Sequence, residues 1–81
     1  MADLAAAKRL ADIYGSDPSA VGATDGTEDD FGDLINDALS ELGRPCDTLD
    51  DKAYDHVQAV ATECRATTMP EWLDHIEAAL R

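Results

Sequence analysis

The sequence predicts an all-α fold, a small four-helix bundle-like domain with one long loop between its first two helices. Three observations lead there. Apolar residues recur at helical spacing in four segments, and no segment alternates with period two over a useful length. Glycine, proline and cap-forming residues fall between those segments. A chain of 81 residues holds one small domain, residues 1–81, and no more.

The first helix is expected over about 3–14. Asp3 serves as its N-cap and Gly15 as the residue that ends it, while Leu4, Ala7, Leu10, Ala11 and Tyr14 share a face. Residues 15–27 (GSDPSAVGATDGT) show no periodicity and form the one long connection, a length often used as a contact surface. The second helix, about 28–42, is the clearest element. Phe31, Leu34, Ile35, Ala38, Leu39 and Leu42 line one side, Thr27 caps the start, and Gly43-Arg44-Pro45 stops it. A third helix, about 49–65, starts at Thr48 and buries Leu49, Ala53, Val57, Val60, Ala61 and Cys64. The fourth, about 69–80, opens with Thr68-Met69-Pro70-Glu71, a capping box with proline in the first turn, and carries Trp72, Leu73, Ile76 and Leu80 on its apolar face.

Composition narrows the function classes. Six basic residues against 18 acids give a net charge of −12. A free-standing nucleic-acid binder needs a basic face, so that class is excluded, and an anionic membrane surface is a poor partner. No apolar run approaches a membrane span, and the N-terminus lacks a secretory signal, so a soluble, non-secreted protein is expected. The acids are 13 Asp and 5 Glu, the bases include two Lys, and 14 of the apolar residues are Ala. Abundant Asp, scarce Lys and small apolar side chains are the look of a salt-adapted cytoplasm, where concentrated ions screen self-repulsion. The same composition predicts a thin core. Acids crowd the expected helix starts, while Arg44, Arg65 and Arg81 fall at the ends, as helix dipoles favour.

Chemistry-bearing patterns are incomplete. Counting from Asp17 to Glu28 gives a partial calcium loop, but Val21 stands where an oxygen ligand is needed. Cys46, His56, Cys64 and His75 lack any short metal-binding clamp, so no metal or other cofactor is expected. A Cys46–Cys64 disulfide stays open on spacing, with reduced thiols expected in a chain without a secretion signal. No nucleophile elbow, zinc-protease motif or phosphate loop occurs, so no catalytic residue is assigned and the chain is read as non-enzymatic. A helix-turn-helix around Gly43 fails on charge, because its recognition helix would present Asp50, Asp51 and Asp55 against Lys52. Two candidate sites remain. Asp33, Asp37 and Glu41, close to Asp30, form an acidic stripe on the solvent side of the second helix, and like charges at that spacing cost about 0.2–0.5 kcal/mol per pair at low salt. Trp72, Leu73, Ile76 and Leu80 form a candidate partner-binding surface, since aromatic anchors dominate interfaces, and the same spacing serves equally for Trp72 filling the core of the domain.

Residues 3–45 resemble the N-terminal half of head–tail connector (adaptor) proteins of tailed viruses. The resemblance rests on Asp3-Leu4, Lys8-Arg9-Leu10 and Ile13, then on Asp29-Asp30-Phe31, Leu34-Ile35, Ala38, Glu41-Leu42 and Arg44. The 13-residue loop is longer than that family's usual turn, and the last two helices match only loosely. The resemblance implies a structural ring component of the virion. It would bind the portal and neighbouring copies in a homo-oligomer and line the DNA channel without sequence-specific contacts. Two other readings stand beside it. One is an acidic nucleic-acid mimic that inhibits a basic protein, as an anti-defence protein would. The other is a small host protein-interaction module.

Overall fold

The computed structural model describes residues 4–18 and 28–81, for 28–31 the backbone alone. Four α-helices occur among the described residues, with no strand: α1 (Leu4–Tyr14), α2 (Glu28–Glu41), α3 (Asp51–Glu63) and α4 (Met69–Ala79), with a 3₁₀ turn (Cys46–Thr48) between α2 and α3. The expected all-α class and all four helices are present. The expected caps Asp3 and Thr27, the calcium-like loop beyond Pro18 and the side chains of Asp30 and Phe31 lie outside the described residues.

Glycine ends the first two helices as the sequence predicts. Gly15 has φ +100° and Gly43 φ +79°, a left-handed backbone that residues with a Cβ adopt only at a cost. After α1 one bond closes the turn, Gly15 N–H to the Ala11 carbonyl at 2.8 Å. After α2 there are two, Gly43 N–H to Ser40 at 3.1 Å and Arg44 N–H to Leu39 at 2.8 Å, the paired pattern that satisfies orphan carbonyls at a helix end.

The entry to α3 differs from expectation. Thr48 does not cap it; its hydroxyl donates back to the Pro45 carbonyl at 2.7 Å inside the 3₁₀ turn. Leu49 and Asp50 are extended, and the Asp50 carboxylate accepts from Ala53 N–H at 2.7 Å. Asp50 is the N-cap because its charged oxygen reaches the third helical amide from an extended backbone. The helix also ends earlier, since Cys64 is extended at φ −68°, ψ 149°. Thr68 holds the N-cap position of α4 with Pro70 in the first turn, but its side chain makes no cap bond, so the expected capping box does not form. None of these helices carries a basic residue in its last turn; Arg44, Arg65 and Arg81 follow the ends rather than sit in them.

α1 packs between α2 and α4, and α3 packs on α4. Among the described residues, fourteen apolar side chains form the buried cluster, and five of them are alanines (Ala6, Ala7, Ala38, Ala61 and Ala66). Leu10, Leu34, Ile35, Leu39, Val57, Met69, Trp72, Leu73 and Ile76 supply the remaining bulk. That is the thin core the composition predicts, because each alanine removes far less apolar area from water than a leucine does. Leu4 departs from its expected place. It shares the spacing of Ala7 and Ala11 but is 59% exposed, at the edge of a groove between α1 and the start of α4.

Candidate functional site

The sequence-predicted docking face on α4 is turned inward. Trp72 is 1% exposed, Leu73 and Ile76 are fully buried, and Leu80 is half-buried against the same cluster. The indole Nε1–H of Trp72 donates to the Ala61 carbonyl at 3.0 Å. Ala61 lies in the last turn of α3, where carbonyls lack a partner from their own helix. Trp72 therefore fills the core and satisfies a buried acceptor at once. These four residues are not an exposed docking surface in this chain, because α1 and α3 already cover the face they share.

The acidic stripe is divided. Asp33 is exposed. Asp37 accepts a hydrogen bond from the Tyr14 hydroxyl, and Glu41 pairs with Arg9 Nε at 3.1 Å. Tyr14 and Arg9 both belong to α1, so two of the stripe's carboxylates fasten α2 to α1. The Arg9–Glu41 pair is largely solvated and contributes at most about 1 kcal/mol. It offsets the charge of Glu41, while Asp33 and Asp37 keep theirs. Spacing shows that the acids share a side of α2 but not which groups of another helix meet them.

A cleft of about 470 Å³ opens between α2, the 3₁₀ turn and the start of α3, lined by Asn36, Cys46, Asp47, Leu49, Asp51, Tyr54 and Asp55. The Tyr54 hydroxyl donates to Asn36 Oδ1 at 3.1 Å and ties α3 to α2 across it. Burial, then the neighbouring Cys46 and Asp55, push the Tyr54 pKa above its ordinary 10.0, so the hydroxyl stays protonated and keeps donating. Cys46 and Cys64 are half-buried free thiols, not a disulfide. His56 and His75 are exposed. Among the described residues no group of three or more His, Cys, Asp or Glu is placed to hold a metal ion, and no helix is long and apolar enough to cross a membrane.

A second, smaller groove of about 130 Å³ runs between α1 and the start of α4. Leu4, Ala7, Lys8, Ala11, Ser16, Thr68, Met69 and Pro70 line it. Met69 N–H donates to the Ser16 carbonyl at 3.0 Å and fixes the groove's far end. The sequence reading missed this feature, because it placed Leu4 on the face shared by Ala7, Leu10, Ala11 and Tyr14. Among the described residues the exposed large apolar side chains are Leu4 and Ile13, each 59% accessible, both on α1. Ile13 had a legible signal, since it lies off the helical stripe formed by Ala7, Leu10 and Tyr14. Comparison of the chain with protein-family models, curated proteins and solved structures finds no match.

Proposed function

We propose that this chain is a non-enzymatic structural protein that works by assembling with copies of itself and with a protein partner under high ionic strength. The observation that carries the reading is the pair of large apolar side chains, Leu4 and Ile13, exposed among the described residues of a chain whose net charge is −12. A chain with a thin, alanine-rich core and a charge of −12 gains most from neighbours that bury more apolar surface and from salt that screens its acids. The specific form proposed is a ring component like the head–tail adaptors that residues 3–45 resemble, acting in a virion or in the cytoplasm of a salt-adapted host. The acidic-mimic reading has less support, because Arg9 of the chain itself already pairs with Glu41.

Light scattering coupled to size exclusion, with far-UV circular dichroism on the same samples, tests this between about 0.1 M and 3 M KCl, where the screening length falls from about 10 Å to below 3 Å. Helicity that rises with salt, and a mass above the monomer at high salt, are expected. A chain fully helical at the lowest salt and monomeric throughout refutes the reading. Displacement of DNA from a basic protein under those conditions selects the mimic instead.

A further inference from the structure

α1 differs from the other helices in charge. With Lys8 and Arg9 against Asp12, it is the one helix of the four whose bases outnumber its acids; α2 and α4 hold no base, and α3 sets Lys52 against three acids. α1 also carries Leu4 and Ile13, the exposed large apolar side chains among the described residues. Nine steps of 100° put those two on opposite sides of the helix axis. Arg9 stands one turn from Ile13 and is taken up by Glu41 of its own chain. Lys8 stands one turn from Leu4, on the same side, and makes no ion pair among the described residues. Leu4 and Lys8 thus set an exposed aliphatic group beside an ammonium on a chain of net charge −12.

The cleft between α2 and α3 has the opposite character. Three carboxylates line it, Asp47 from the 3₁₀ turn with Asp51 and Asp55 from α3, and no basic side chain does. None of the three is in an ion pair among the described residues. Half-buried Leu49 and Tyr54 give the cleft apolar surface as well. No residue of α1 lines it.

We propose that Leu4 and Lys8 of one copy of this chain enter the cleft of a second copy, Leu4 packing on Leu49 and the Tyr54 ring while the Lys8 ammonium meets Asp47, Asp51 and Asp55. The inference rests on the assembly reading and names the two surfaces that carry it. Charge complementarity selects this occupant, because the unpaired base beside an exposed apolar side chain and the base-free cleft belong to the same chain. Asp12, one turn beyond Lys8, is the acid that the contact has to tolerate. The two surfaces are different, so the interface is head-to-tail. Every copy keeps one surface free, and addition continues until a ring closes or a filament grows.

The test is sedimentation velocity of the full chain at about 1 M KCl, where a screening length near 3 Å suppresses repulsion between copies but leaves a contact pair acting. Leu4→Asp is expected to weaken self-association by about tenfold or more, from the loss of one buried aliphatic contact. Lys8→Glu and Asp55→Lys should each weaken it by about threefold, and the double variant should restore it. Leu4, Lys8 and Asp55 are exposed, so far-UV circular dichroism should stay at the wild-type value. Mixing Leu4→Asp with Asp55→Lys is expected to give a species of two chains and nothing larger, since one intact Leu4–Lys8 surface meets one intact cleft. Asp12→Asn should strengthen association by about twofold, and weakening instead would overturn the placement of Lys8 among carboxylates. Association lost through Asp55→Lys but indifferent to Leu4→Asp and Lys8→Glu gives the cleft another occupant and overturns this one. Association lost through Ile13→Asp but not through Leu4→Asp overturns this interface while leaving the assembly reading in place. A chain monomeric at every concentration overturns both.

Discussion

Replacing Trp72 by alanine asks whether α4 belongs to the core. The side chain is 1% exposed, and its Nε1–H reaches the Ala61 carbonyl at 3.0 Å. Truncation of a buried tryptophan costs about 3–5 kcal/mol, from lost burial and the cavity left behind. The Ala61 carbonyl loses its stronger donor as part of that loss and keeps only the weak Cys64 thiol at 3.6 Å. A domain of this length has about 4–12 kcal/mol in total, and five alanines in the core place it toward the lower end. Trp72→Ala should therefore be largely unfolded at low salt. Trp72→Phe separates the two contributions, because it keeps most of the ring and removes the indole N–H. It should lose about 0.5–1.5 kcal/mol, seen as a fall in Tm of about 4–8 °C per kcal/mol. Urea titration read by far-UV circular dichroism is the assay, because this is the chain's one tryptophan and its fluorescence disappears with it. Trp72→Ala unfolding within about 0.5 kcal/mol of wild type, the range of surface substitutions, would refute the core placement.

Three further outcomes are expected. Gly43→Ala should destabilise by about 1–2 kcal/mol, although an added Cβ meets nothing within 4 Å, because the cost lies in the φ of +79°; an unchanged urea midpoint would show that the turn after α2 is not left-handed. Asp50→Ala should cost about 1 kcal/mol through the lost cap, while Thr48→Ala should cost clearly less, and the reverse ranking in thermal melts would restore Thr48 as the cap. Tyr54 has its pKa raised in the folded state, so its contribution to stability is fully present below pH 10.0 and is lost as pH rises through the folded value. Stability should decline above pH 10.0 and the decline should lessen in Tyr54→Phe, which urea titrations across that range would check.

Assembly and the salt response bear on one another. Concentrated salt lets acidic copies approach, and it weakens any contact that relies on charge alone. A contact between apolar side chains keeps its strength there, since burial of apolar surface does not depend on screening. A protein with this composition is therefore better served by Leu4 and Ile13 than by its many carboxylates as points of adhesion.

The sequence by itself determined the four helices and the stops of the first two. Periodicity in α2 and α4 and the glycines at 15 and 43 are local properties, governed by neighbours within a few residues. It also determined the thinness of the core, because fourteen alanines cannot supply bulk wherever they are placed. What each apolar stripe faces was decided by the tertiary structure. The pattern Trp72, Leu73, Ile76 and Leu80 reads equally as core or as interface until α1 and α3 are seen to cover it. The same holds for Leu4, in register with the core and yet outside it, and for Asp37 and Glu41, whose partners Tyr14 and Arg9 come from a helix more than twenty residues away. Helical spacing states which residues share a side. Only the docking of one helix on another states whether that side meets protein or water.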